Sequence, residues 1–226
     1  MTNILLTGAS RGIGAACVEA LKAQTLIGTS SADGDLADPA TPARLWDSAL
    51  ERLGGRIDVL INNAGVFEAA PVDLPHDKWV AQWERTMRIN LTASAELCQL
   101  AVLHFRQNGG GRIVNVASRA AYRGDSPAHW HYAASKAGMI GMTKSIARGF
   151  ARENILAFAV CPGFTMTGMA EDYLASRGGD KLLADIPLGR VATPEEVASA
   201  VRYLTLEAPP SMTGAVIDIN GASYVR

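Results

Sequence analysis

Short apolar runs alternate with longer amphipathic ones along the whole chain, and that alternation constrains the fold more than any other feature. The short runs cover 4–7, 25–29, 57–61, 112–117, 155–160 and 215–219, with Ile, Val and Leu at successive positions. Unbroken apolar runs of that length read as strands covered on both faces. Between them, helical spacing marks 13–23, 41–53, 76–107, 132–151 and 194–206. The last begins Thr193-Pro194-Glu195-Glu196, with a capping hydroxyl, proline at the first helical position and acids in the first turn. Strand–helix alternation predicts an α/β fold: a doubly wound parallel sheet with helices on both faces and right-handed crossovers.

One interval is too short for that rhythm. After the run at 25–29 come Ser30-Ser31-Ala32-Asp33-Gly34-Asp35-Leu36-Ala37-Asp38-Pro39, and the next helix starts near 41. A parallel crossover with its helix needs ten or more residues. The sheet is therefore expected to have six strands, with one edge strand and its helix missing.

The bulk numbers fit one large domain over 1–226. Hydrophobic residues make up 48% and charged residues 19% of the 226 positions, which excludes a disordered chain. A net charge of −1 gives no field that would draw the molecule to nucleic acid or anionic lipid. No apolar run approaches bilayer length. Met1-Thr2-Asn3-Ile4 enters a strand pattern directly, without the features of a secretory leader. Cys17, Cys98 and Cys161 are odd in number and stand in apolar contexts. Buried free thiols and a cytoplasmic location are expected.

Polar and glycine residues follow four of the strands: Gly8-Ala9-Ser10-Arg11-Gly12, Asn62-Asn63-Ala64-Gly65, Ser118, and Cys161-Pro162-Gly163. Open parallel sheets bind ligands outside the carboxyl ends of their strands, so one shared cleft is expected there. Without side chains at Gly8 and Gly12 the backbone can turn tightly against a ligand, and Gly14 lets the helix pack close to the strand. The free N–H groups at the helix start, from Ile13 onward, suit a pyrophosphate. Tyr132 and Lys136, four apart, share a helix face. A cation beside a phenol lowers its pKa from about 10, and such a tyrosine can exchange a proton near neutrality.

In this order, the motifs make the chain resemble the short-chain dehydrogenase/reductase family over nearly its whole length. They are Thr7-Gly8-Ala9-Ser10-Arg11-Gly12-Ile13-Gly14, Asn62-Asn63-Ala64-Gly65, Asn90, Ser118, Tyr132 to Lys136, and Pro162-Gly163-Phe164-Thr165-Met166-Thr167. In wording they are closest to the 3-oxoacyl-carrier-protein reductases. The resemblance implies a Rossmann-like oxidoreductase that moves a hydride between a nicotinamide and a carbonyl or secondary alcohol. It implies Tyr132 as general acid/base, Lys136 on the nicotinamide ribose, Ser118 on the substrate oxygen, and Asn90 holding a water in a proton relay. Asn63, Ala64 and Gly65 would line the adenosine side. Pro162, Gly163, Thr165 and Thr167 would hold the carboxamide end, and Asp35 and Leu36 would reach the adenine from a tight turn. Thr165 stands where Ile or Val is usual, and the Ser118–Tyr132 interval is one residue longer than the commonest family spacing.

Ser30 and Ser31 end the second strand with hydroxyls, where an acid would select NAD. Arg11 in the glycine loop can pair with a phosphate. NADP is thus the expected cofactor and NAD the second choice, with Asp33 as the residue that argues for NAD. His129-Trp130-His131 lacks further ligands at metal spacing, so no metal is expected and the triplet reads as pocket wall. No nucleophile elbow surrounds Ser118. Arg119 and Arg123 read either as solvated or paired, or as receptors for an acidic or phosphopantetheine-bearing substrate. Trp79 and Trp83, four apart, read as core or subunit packing. Substrate walls are expected from 66–75, 119–131 and 166–190, with Arg177-Gly178-Gly179 as a hinge. Apolar residues on more than one helix face (Leu91, Leu97, Leu100, Val102, and Met139, Met142, Ile146) are more than one sheet can bury, and the resemblance implies a homodimer or homotetramer. A non-catalytic nucleotide sensor or scaffold is the alternative from another class, and an intact Ser118, Tyr132, Lys136 and Asn90 argues against it.

Overall fold

The computed structural model describes residues 1–166 and 183–226. Among them, six strands form one sheet in the order β2-β1-β3-β4-β5-β6. These are β1 (Asn3–Thr7), β2 (Thr25–Thr29), β3 (Val59–Asn62), β4 (Gly111–Val116), β5 (Ile155–Pro162) and β6 (Val216–Ile219). Every neighbouring pair is parallel, from Asn3 opposite Thr25 at one edge to Pro162 opposite Ile219 at the other. The expected six strands are present, each within a residue or two of its apolar run. The interval after β2 carries turns rather than a strand, and the sheet ends at β2.

Numbered over the described residues, the helices are α1 (Gly12–Ala20), α2 (Thr41–Arg52), α3 (His76–Met87), α4 (Ala93–Gln107), α5 (Ala120–Arg123), α6 (Trp130–Phe150) and α7 (Pro194–Leu206). The strands' alternation splits the core in two. Ile4, Leu6, Ile61, Val114 and Phe158 pack with α1 and α7, through Cys17, Val197, Val201 and Leu204. Leu5, Leu60, Ile113 and Ala157 pack on the opposite face with α2, α4 and α6, through Trp46, Leu97, Phe105 and Ile146. Helix α7 starts where its sequence says. Thr193 accepts from the Glu196 N–H, and the Glu196 carboxylate returns to the Thr193 N–H at 2.8 Å.

The expected single helix over 76–107 is two helices joined by a π turn at Arg88–Thr92. The additional residue in that turn swings Asn90 inward, where it is fully buried. Leu97, Val102, Met139 and Ile146 are buried within the one chain, because α4 and α6 both pack onto the sheet. Only Leu91, Leu100 and Met142 of that set stay half-buried. All three cysteines are buried free thiols.

Candidate active site

The chain leaves β1 for the outer strand β2, then returns past β1 to β3. That reversal opens a crevice between the loops after β1 and β3. Thr7, at the tip of β1, fixes both loops: its hydroxyl accepts the N–H of Asn63 at 3.2 Å and of Ala64 at 3.1 Å. The Asn63 amide donates to the carbonyls of Thr7 (3.2 Å) and Gly8 (2.8 Å). Gly8 and Gly12 adopt positive φ of 71° and 52°, the left-handed conformation glycine tolerates. A Cβ on Gly14 would lie 1.9 Å from the Gly8 carbonyl oxygen, so the helix starts directly on the loop.

The crevice is a cleft of about 1000 Å³. It gathers Gly8, Ser10, Arg11, Gly12, Ile13, Gly14, Ser30, Ser31, Asp35, Leu36, Asn63, Ala64 and Gly65 of the residues expected on sequence grounds. Leu36 reaches it despite the shortened connection, packing with Leu45, Ile89 and Ala93. Thr29, beside Ser30, and Val66, from the expected substrate wall, line it too, with Leu45, Arg85 and Ile89, which were not anticipated. Arg85 comes from α3 and lies 4.0 Å from Asp35 and 3.5 Å from Glu68. No local pattern distinguishes it from other helix-surface arginines. Asp33 does not line the cleft; its carboxylate accepts from the N–H (2.8 Å) and hydroxyl (3.1 Å) of Ser30.

Asn90, Lys136, Ser118 and Tyr132 gather beyond Gly65. A Cβ at Gly65 would stand 3.3 Å from Asn90 Oδ1 and 3.5 Å from Lys136 Nζ. Asn90 Nδ2 also donates to Ser135 Oγ at 3.2 Å. Lys136 is buried and donates to the Val116 carbonyl, at the end of β4, at 2.8 Å. Its Nζ is 5.8 Å from the centre of the Tyr132 ring. Ser118, two residues past β4, is buried and accepts the Ala120 N–H at 3.1 Å.

The electrostatics correct one expectation. Burial pushes the Tyr132 phenol up to about 12, with the Ser118 hydroxyl drawing it part of the way back. Burial also pulls the Lys136 ammonium down to about 8. Lysine was expected to make the phenol more acidic. Desolvation outweighs that effect, while the Lys136 ammonium gives one of its three N–H groups to the Val116 carbonyl.

Phe67 stacks face to face on His129, ring centres 3.9 Å apart, and stands edge-on to Tyr132 at 4.8 Å. The Ala70 N–H donates to the Ala128 carbonyl at 2.8 Å. The two segments expected to wall the substrate are thereby joined beside the phenol. His131 is buried, with Nε2 2.9 Å from the Glu68 carbonyl. Trp79 stacks on Trp83 and meets Trp130 edge-on; both are half-buried rather than core.

Gly163 donates to the Ile219 carbonyl at 2.9 Å, and Thr165 pairs with Ala192. Pro162, Gly163 and Thr165 thus stand at the end of β5, outside the lining of the cleft. Thr167 and the Arg177-Gly178-Gly179 hinge lie outside the described residues.

A crevice at the strand-order reversal, floored by glycines and leading to a buried Ser118 and Lys136 and a half-buried Tyr132, defines a nucleotide-binding α/β protein of Rossmann type. The sequence model described as enoyl-(acyl carrier protein) reductase matches residues 16–222. A 3-oxoacyl-[acyl-carrier-protein] reductase, FabG, of Thermotoga maritima is 40% identical over 171 residues, covering 76% of this chain and 68% of the relative. An acetoacetyl-CoA reductase of Rhizobium meliloti is 33% identical over 238 residues, covering 97% of each. A solved structure described as a gluconate dehydrogenase from Agrobacterium tumefaciens superposes with a TM-score of 0.86 over 98% of this chain and 95% of its own. At 23% identity that likeness speaks for the fold alone. The chain belongs to the short-chain dehydrogenase/reductase family of oxidoreductases.

Proposed function

We propose that this chain, as one catalytic domain over 1–226, reduces a carbonyl to a secondary alcohol with NADP(H), Tyr132 giving the proton. The observation that carries the reading is the half-buried Tyr132 phenol beside Ser118 and Lys136. The phenol is protonated through neutral pH, so a proton is there to give to an oxygen that gains charge.

The residues present fit a nicotinamide dinucleotide. The cleft runs from Ser30 and Ser31 past the glycine loop to Gly65, where a side chain would crowd Asn90 and Lys136. When bound, the dinucleotide supplies the hydride. Ser118 orients the substrate oxygen by hydrogen bond. Tyr132 donates its Oη proton to that oxygen, and the Lys136 ammonium steadies the phenolate that remains. Phe67 and His129 cover the phenol and exclude water. Pro162, Gly163 and Thr165, at the end of β5, would hold the carboxamide end, with Thr167 from beyond the described residues.

Arg11 in the cleft, with hydroxyls at Thr29, Ser30 and Ser31, favours the 2′-phosphate of NADP. The substrate is a 3-oxoacyl thioester or another small ketone, a reading supported by the names of the relatives. The half-buried apolar residues of α4 and α6 serve a homodimer or homotetramer, to be read by sedimentation. The buried thiols suit a reducing compartment such as the cytoplasm. No described helix is long and apolar enough to cross a membrane.

The test is NADPH oxidation with a panel of 3-oxo compounds, comparing the natural chain with Tyr132→Phe. Loss of the proton donor should lower kcat by about 10²–10⁴-fold and leave NADPH binding in place. Undiminished turnover in the variant overturns the mechanism.

A further inference from the structure

Arg119 immediately follows Ser118 in the chain and is more than nine-tenths buried, with 8% of its surface exposed. Its backbone N–H donates to the carbonyl of Pro162, which ties the end of β4 to the end of β5. The guanidinium lies over the ring of Phe164, 4.9 Å from its centre. Its Nη1 is buried and makes no hydrogen bond; the nearest opposite charge is Asp185, 3.5 Å away. Asp185 serves Arg123 first, at 2.6 Å, and Arg123 also donates to the Ser223 carbonyl at 3.2 Å. Burial and the like charge of Arg123 both weaken Arg119's hold on its proton, and Asp185 and Asp125 only partly compensate.

A buried guanidinium with an idle N–H is costly unless something completes it. Arginine's planar fork suits a two-oxygen anion. Asp185 supplies one oxygen from an awkward distance, and its side chain is nearly half exposed.

The geometry points to an anion subsite at Arg119 and Arg123, for which the substrate's own carboxylate competes with Asp185, so that the carbonyl reduced at Ser118 and Tyr132 belongs to a short keto acid. This rests on the hydride-transfer reading above and narrows its substrate class. Arg119 follows Ser118 directly, with adjacent Cα atoms about 3.8 Å apart, so the anion it would hold belongs to a substrate whose carboxylate is close to its carbonyl. A phosphate at the far end of a pantetheine arm is separated from its carbonyl by the whole arm.

The experiment measures kcat/KM with NADPH for acetoacetate, methyl acetoacetate and acetoacetyl-CoA, on the natural chain and on Arg119→Met, Arg119→Lys, Arg123→Met and Asp185→Asn. Expected is a preference for the free acid over the ester. Arg119→Met should lower that preference about ten- to a hundred-fold, mostly through KM, and Arg119→Lys should recover part of it. Asp185→Asn should strengthen acetoacetate binding. Arg123→Met keeps the test alive if Arg119→Met does not fold. Equal losses for acid and ester would make Arg119 a structural residue and overturn the proposal. So would sensitivity confined to the coenzyme A thioester, which would assign the anion to a phosphate. Calorimetric binding of acetoacetate separates the two readings. Binding that depends on Arg119 in a protein that turns over nothing leaves the subsite standing and removes the hydride transfer. Turnover of the ester with no acetoacetate binding does the reverse.

Discussion

The side-chain amide of Asn90 closes on both backbone groups of Val66. Its Oδ1 accepts the Val66 N–H at 2.8 Å, and its Nδ2 donates to the Val66 carbonyl at 3.0 Å. The π turn that carries Asn90 thereby pins the loop after β3, including Gly65, against the cleft. Asn90→Leu leaves both Val66 groups unpartnered. The loss should be about 1–3 kcal/mol for a buried group left unpaired, seen as a fall of roughly 2–4 °C in Tm per kcal/mol for a chain of this size. Calorimetry reads it, and an unchanged Tm would mean the clamp contributes nothing.

Gly14 and Gly149 should respond to alanine with opposite signs. A Cβ at Gly14 meets backbone, 1.9 Å from the Gly8 oxygen and 2.8 Å from its carbonyl carbon. Forcing the loop off the helix should cost roughly 1–3 kcal/mol and weaken dinucleotide binding. Gly149, near the end of α6, has nothing within 4 Å of its would-be Cβ. Gly149→Ala should gain about 0.5–1 kcal/mol through helix entropy. Urea midpoints for the two variants decide it, and a shift in the same direction for both contradicts the account.

The pH dependence of stability carries the signature of Lys136 and Tyr132. Lys136 titrates at about 8 in the fold, against a usual 10.5. The folded state therefore sheds this proton first, and Lys136's contribution to stability rises from pH 8 toward 10.5. Tyr132 titrates at about 12, against a usual 10.0. Its contribution is whole below pH 10 and falls as the pH climbs toward 12. Unfolding free energies of the natural chain and Lys136→Met, measured from pH 7 to 10, should diverge in that sense. Parallel curves would place the lysine's pKa at its ordinary value.

Arg11 should discriminate between the two dinucleotides. It is exposed at the cleft, in the loop that also presents Ser10. Arg11→Ser should raise KM for NADPH about tenfold, the effect of one charge-assisted hydrogen bond, and change KM for NADH far less. Equal effects on both, or a native preference for NADH, would contradict the choice of NADP.

Much of the architecture was legible in the sequence. The β2 and α7 boundaries match their patterns to the residue. The missing strand–helix unit could be read from the short interval 30–40, because a crossover has a minimum length. The glycine loop and the Asn63–Gly65 segment meet in one cleft because both follow parallel strands at the order reversal. The π turn was not legible: one added residue leaves the helical period of its neighbours almost unchanged. Nor was Arg85, which reaches the cleft from a helix whose direction is set by packing. Thr7 could have been found, since a hydroxyl at the last residue of a strand, before a glycine turn, has backbone N–H groups within reach.

By itself, the sequence determined which segments are strands and helices, that they lie parallel, and which residues follow each strand into the cleft. Those follow from periodicity and chain length, which are local. Tertiary structure alone decided the proton affinities of Tyr132 and Lys136 and the idle charge of Arg119 beside Asp185. Burial and charge pairing depend on neighbours brought from far along the chain, and local periodicity carries no trace of them.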